Sequence, residues 1–172
     1  DVGEASIYRY FTDKNELAKL VAFLYWNEMY DVFKSELGPT LQSDISSLEK
    51  IRVFLGLFKT LLKDYPKFLI FTEDFDGYMQ YVVNDQRPSN FESKISDIKG
   101  IFLNLVIEGQ EKGEIREDID TNYIYSFVSQ TMSATTQKLV SRVGYLHKDI
   151  DQYSERCLDD LVNMFIHYIK KD

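Results

Sequence analysis

One cysteine, three prolines and no long apolar run set the first limits on this 172-residue chain. Cys157 has no second cysteine to pair with, so no disulfide forms within the chain. A lone thiol fits a reducing cytoplasm, and its expected role is that of a small core residue. The longest apolar run, residues 20–26, is too short to cross a bilayer, and no secretory signal opens the chain. The expected location is cytoplasmic, without membrane partners. Positive charge is also scarce: 20 Lys and Arg stand against 28 Asp and Glu, a formal net charge of -8. That balance argues against nucleic-acid binding over the whole surface and leaves room only for a small local contact.

The equipment of common enzymes is missing too. Neither histidine, His147 or His167, belongs to a Glu-x-x-His pair, which excludes a di-iron bundle. No Cys/His cluster has zinc spacing, no Gly-rich loop could cradle phosphate, and no Gly-x-Ser-x-Gly elbow presents a nucleophile. The expectation is a protein that is not an enzyme and carries no cofactor or metal.

Aromatic residues, by contrast, are abundant, with twelve Phe and twelve Tyr in a chain that is 44% hydrophobic. Rings in such number serve a helical core or the lining of a pocket for an organic ligand, and composition does not choose between them. Pro39, Pro66 and Pro88 each fall where an apolar periodicity breaks. The Pro-free stretches between them repeat apolar residues at three- and four-residue steps, without the alternation of strands. The fold class is all-α, a helical bundle.

Helices are expected over residues 13–36, 46–64, 66–84, 91–112, 121–142 and 150–171. Asp13 with Glu16 forms a capping signal for the first, and Gly38-Pro39 is expected to end it. Residues 20–26 are apolar on nearly every side, as in a helix enclosed by others or bridging two units. A break is expected at residues 73–77, where Gly77 weakens a helix interior. Gly113 is placed to terminate the fourth helix, and the acidic stretch 114–120 reads as solvated. Asp120 and Asp149 are candidate caps.

The most specific signal lies at the N-terminus: Val2-Gly3-Glu4-Ala5-Ser6-Ile7-Tyr8-Arg9-Tyr10-Phe11-Thr12-Asp13-Lys14-Asn15-Glu16-Leu17. This stretch resembles the end of the helix-turn-helix of TetR-family (tetracycline-repressor-like) regulators. Ser6, Ile7, Tyr8, Tyr10, Phe11, Lys14 and Leu17 fall on that family's pattern. Gly3 stands where the family often has Ser, and Glu4 is acidic at a position facing DNA. The resemblance implies DNA contacts from Gly3, Glu4, Ala5, Ser6, Tyr8, Tyr10 and Lys14. Small and hydroxyl-bearing groups suit a recognition helix and its phosphate contacts. It also implies a division into residues 1–14, the end of a helix-turn-helix lacking its first part, and residues 15–172, a ligand-binding and dimerisation domain.

Further implications follow from the resemblance. The first long helix would be a lever between reader and sensor, since half-sites roughly 34–36 Å apart punish a change in spacing. The last two helices would pair with their symmetry mates in a homodimer, through Phe127, Thr131, Ala134, Thr135, Leu158, Leu161, Val162, Phe165 and Ile169. Small residues Ser129, Ser133 and Ala134 would allow close helix approach. The effector pocket would draw on Trp26, Tyr30, Phe54, Phe58, Phe71, Phe75, Tyr78, Phe102 and Tyr125. These predict a hydrophobic small-molecule effector; Glu73, Asp74 and Asp76 would favour a cation or form a solvated acidic turn. The implied function is a ligand-responsive repressor acting on operator DNA. The alternative is a helical dimerisation or adaptor module without DNA or ligand.

Overall fold

The computed structural model describes residues 11, 13–82, 91–142 and 150–171. Six helices make up this part: α1 (Lys14–Gln42), α2 (Ser47–Asp64), α3 (Pro66–Tyr81), α4 (Phe91–Glu111), α5 (Thr121–Arg142) and α6 (Ile150–Ile169). The only extended pairing among the described residues is an isolated antiparallel bridge between Ile115 and Lys170.

The starts of the helices follow local chemistry. Asp13 accepts from the amides of Asn15 and Glu16 at 2.9 and 3.0 Å, and Ser46 accepts from Glu49 N at 3.2 Å. Asp120 does the same for Tyr123 N at 2.9 Å. Each such cap satisfies an amide that the helix leaves open and is worth about 1 kcal/mol. Gly113 ends the run after α4 at φ 71°, a backbone region that disfavours residues with a Cβ. Asp149 lies outside the described residues.

Two helix boundaries differ from the sequence expectation. α1 runs through Gly38-Pro39 to Gln42. Proline inside a helix forfeits one hydrogen bond, but fully buried Leu37 on one side and core-packed Leu41 on the other hold the extra turn in place. Ser43 then closes it by donating from its amide and hydroxyl to Thr40 O. α3 passes through residues 73–77 without a break, because Thr72 and Phe75 are drawn inward and anchor both sides of the acidic stretch.

α2 is the hub. It packs against each of the other five helices, and Ile51, Phe54, Leu55, Leu57 and Leu61 are buried along it. α1 lies mainly on α4, α3 on α5, and α6 on α2 and α5. The expected enclosure of residues 20–26 is not observed: Ala22 is fully buried, but Leu20 and Leu24 are 40% and 58% exposed. Cys157 is half-buried on the outside of α6, beside Tyr153, Leu161 and Met164, rather than in the core. His167 is exposed, and His147 lies outside the described residues.

In the acidic connection after α4, Glu117, Asp118 and Asp120 are exposed as expected, but Glu114 and Ile115 are structural. Glu114 Oε2 accepts from the amides of Ser47 and Leu48 at 2.7 and 3.3 Å, capping α2 from a position 67 residues away. A carboxylate at a helix N-terminus also meets the positive end of the dipole. Ile115 is fully buried, and its neighbours clasp the end of α6: Arg116 N donates to Ile169 O and Lys171 N to Glu114 O, both at 3.0 Å. Two pairs bind α2 to α6 from outside, Arg52 with Asn163 and Lys59 with Asp159, each at 2.5 Å.

A candidate effector cavity among five helices

A cavity of ≈ 190 Å³ lies among α1 to α5. Trp26 and Phe33 of α1 and Phe54, Leu55, Phe58 and Leu61 of α2 form one wall. Opposite them stand Phe68, Leu69 and Phe75 of α3, with Ile95, Ile98 and Phe102 of α4. The rings meet edge-on: Trp26 to Phe68 at 5.1 Å, Phe54 to Phe102 at 5.2 Å, and Phe33 to Phe54 at 5.9 Å between centroids. Such edge-to-face contacts fix ring orientation and leave gaps that round aliphatic packing would close.

α5 supplies the fifth side through Tyr125, Ser129, Ser133 and Gln137, spaced four apart and so aligned on one face. Ser129 and Ser133 are small, which helps leave space inside. Along the same helix Ile124, Val128, Met132 and Thr136 are buried.

Hydroxyls of Tyr125, Ser129 and Ser133 run along α5, and at the Gln137 end of that row, where α3 meets α5, Thr72, Gln137 and Asp76 form a polar cluster. Thr72 donates from its hydroxyl to Leu69 O at 2.8 Å and accepts from Gln137 Nε2 at 3.2 Å. Gln137 also donates to the carboxylate of Asp76. Asp76 sits at the rim with an exposed side chain, and its partial burial raises the carboxyl above the ordinary 3.8, opposed by that hydrogen bond. Burial likewise raises the Tyr125 hydroxyl above its usual range, opposed by a hydrogen bond with Ser129.

The raised Asp76 value carries a sign for stability. The native state holds this proton more tightly than the unfolded chain, so stability falls as pH rises from 3.8 through the raised native value. Asp76→Asn removes the ionised form. The variant should melt above the parent at neutral pH, and the gap should close as pH falls below 3.8. Thermal melts across that range check this; a gap that widens on acidification would contradict it.

Of the nine expected pocket residues, the fold brings Trp26, Phe54, Phe58, Phe75, Phe102 and Tyr125 to the cavity. Tyr30, Phe71 and Tyr78 are elsewhere. Tyr30 lies beneath Lys94, whose Nζ is 4.6 Å from the ring centroid. Phe71 stacks on Tyr25 at 4.7 Å. Tyr78 donates to Asn15 Oδ1, and Lys14 Nζ stands 5.4 Å from its ring centroid. On α3, Phe71 and Tyr78 fall to one side of the face that carries Phe68, Thr72 and Phe75; Tyr30 shares the face of Trp26 and Phe33, but its ring packs under Lys94 of α4 instead. Sequence reading missed Phe33, Phe68, Thr72, Ser129, Ser133 and Gln137. No local signal singled out the polar ones, because α5 carries polar residues on every side. Of the three acids, Asp76 alone lines the cavity; Glu73 pairs with Lys138 at 2.7 Å, and Asp74 is exposed.

The expected dimer residues also divide. Leu158, Val162, Phe165 and Ile169 are buried within the single chain, at 0–4% exposure, and cannot offer a contact surface. Their stripe packs α6 on α2 and α5. Phe127 and Ala134 are exposed, and Thr131, Thr135 and Leu161 are half-buried. The outward apolar face that remains holds Tyr123, Phe127, Met164 and Tyr168, with Phe127 and Tyr168 in contact at 5.8 Å. Gly3, Glu4, Ala5, Ser6, Tyr8 and Tyr10 lie outside the described residues. Lys14 is exposed at the first turn of α1. No described helix is long and apolar enough to cross a membrane.

This arrangement of helices is shared with solved structures of two transcriptional regulators. The ketosteroid transcriptional regulator KstR2 of Mycobacterium tuberculosis superposes with a TM-score of 0.64 at 16% identity, over 98% of this chain and 79% of that one. The fatty acid degradation regulator FadR of Bacillus halodurans gives 0.62 at 16% identity, over 98% and 83%. In sequence, the HTH-type transcriptional repressor KstR2 of Mycobacterium tuberculosis is 23% identical over 131 residues. That alignment takes in 73% of this chain and spans 60% of the repressor's length. No family model matches the chain.

Proposed function

We propose that this chain is the effector-binding and dimerisation part of a ligand-responsive transcriptional regulator, a repressor released from its operator by a small hydrophobic molecule. The observation that carries the reading is the aromatic cavity enclosed by α1 to α5, in a fold shared with named regulators. Residues 1–14 then belong to a helix-turn-helix, with Lys14 and the residues before it on DNA. The protein works in the cytoplasm as a homodimer and not as an enzyme.

The connection from cavity to reader is short. α3 places Phe75 and Asp76 in the cavity lining. A few residues on, Tyr78 holds Asn15 and underlies Lys14 at the first turn of α1. An effector that prefers one position of α3 therefore biases the start of α1, and with it the spacing of two recognition helices. The dimer forms through the outward face of α5 and α6, centred on Phe127, Met164 and Tyr168.

The test is binding of the full-length protein to DNA upstream of its own gene, at fixed salt, with and without hydrophobic ligands. Salt is fixed because phosphate contacts make affinity steeply salt-dependent. Specific dimeric binding relieved by a ligand is the expected result. No preference over random DNA would favour the helical adaptor reading instead.

A further inference from the structure

We propose that the polar end of the cavity selects an effector whose own polar end donates hydrogen bonds and carries no negative charge: a primary amine ahead of an alcohol, and both ahead of a carboxylate. This rests on the effector reading above and specifies the chemistry of the ligand.

The argument is an account of donors and acceptors. The Thr72 hydroxyl proton is directed to Leu69 O at 2.8 Å, so Thr72 can only accept from Gln137. That fixes the Gln137 amide with its nitrogen toward Thr72, and the Asp76 carboxylate demands a donor from the same group. The Gln137 amide nitrogen is thereby committed to Thr72 and Asp76. What Thr72, Gln137 and Asp76 still offer the cavity is acceptors: the Asp76 oxygens and the Gln137 carbonyl. Ser129 is engaged with Ser126 O and with Tyr125, which leaves Ser133 as the hydroxyl with rotational freedom.

Charge points the same way. Lys138, the neighbour of Gln137, is occupied by Glu73 at 2.7 Å. Among the described residues Asp76 has the Gln137 amide and no cation beside it at the cavity rim, and partial burial holds its carboxyl above the usual value. An ammonium group there would gain charge-assisted hydrogen bonds and the faces of the neighbouring rings. A carboxylate would meet like charge and a set of acceptors. The remaining lining, from Trp26 to Phe102, accepts an aliphatic or aromatic body.

The experiment titrates the 172-residue chain with octylamine, octanol and octanoate at neutral pH and fixed salt, below their aggregation limits. Trp26 is the single tryptophan and lines the cavity, so its fluorescence reports occupancy directly; thermal shift gives a second reading. Octylamine should bind roughly tenfold tighter than octanoate, the scale of one charge-assisted hydrogen bond. Asp76→Asn should bring octylamine to the level of octanol, with octanol weakened far less than octylamine because the asparagine keeps one acceptor oxygen. Asp74→Asn, an exposed acid outside the lining, should keep the amine preference and so exclude general attraction to an acidic protein. Octanoate binding as tightly as octylamine overturns the inference while the effector cavity stands. So does an Asp76→Asn variant that weakens all three ligands alike, since Asp76 would then serve only the fold. If none of the three changes Trp26 emission or the melting temperature, the cavity is not an effector site and both readings fall.

Discussion

Phe102→Ala is expected to lower stability by about 3–5 kcal/mol, the range for emptying a buried aromatic site. Phe102 is 1% exposed and touches rings on both sides, Phe54 at 5.2 Å and Tyr125 at 5.8 Å. No neighbour can move in freely, because α2 and α5 are each held by other contacts. In a chain of this size the melting temperature should drop by roughly 10 °C. The same change joins the vacated volume to the cavity, since Phe102 is part of its lining. A small aromatic such as benzene should then stabilise the variant more than the parent. Thermal melts with and without benzene read both effects. A variant that melts with the parent would mean that Phe102 is not a structural member of the cavity wall.

Gly109→Val comes next, with an expected loss of about 2–3 kcal/mol from overpacking. A Cβ on Gly109 would stand 2.5 Å from Ile115 Cδ1, 2.8 Å from its Cγ1 and 3.1 Å from Ser47 Cβ. Ile115 is fully buried and pinned by the bridge to Lys170, so its side chain has no exit to solvent. The Gly109 carbonyl accepts from both Glu114 and Ile115 amides, at 2.8 and 3.0 Å, so the backbone cannot retreat without loosening the turn. That turn carries Glu114 onto the first amides of α2. The clash therefore reaches the capping of the central helix. Gly109→Ala should cost less, because alanine gains back up to about 1 kcal/mol of helix preference. Pairing it with Ile115→Val, which removes the nearest methyl, should recover part of the loss beyond simple additivity. Chemical denaturation of the single and double variants measures the coupling; strict additivity would place the strain elsewhere.

The two predictions mark different depths of legibility. Phe102 was readable as part of an apolar stripe, with Ile95, Ile98 and Leu105, because a helix repeats its buried face every three or four residues. Nothing local distinguished Gly109 from a glycine of convenience, since its neighbours Ser47 and Ile115 come from other segments. Glu114 is the same case: an acidic stretch before a helix reads as solvated until the amides of a helix 67 residues away are placed beside it.

What this sequence determined by itself is the set of helices, most of their caps and the aromatic character of the interior. These follow from periodicity, from side chains that reach amides a few residues away, and from composition. The tertiary structure decided the rest. It gave Tyr30, Phe71 and Tyr78 partners outside the cavity lining and brought Thr72, Asp76 and Gln137 together at its polar end. It assigned the stripe of Leu158, Val162, Phe165 and Ile169 to the chain's own core. The physical reason is common to all of these. A sequence fixes which residues share a helical face, but a face has no partner until helices pack, and only the packing says whether it meets the core, a cavity or solvent.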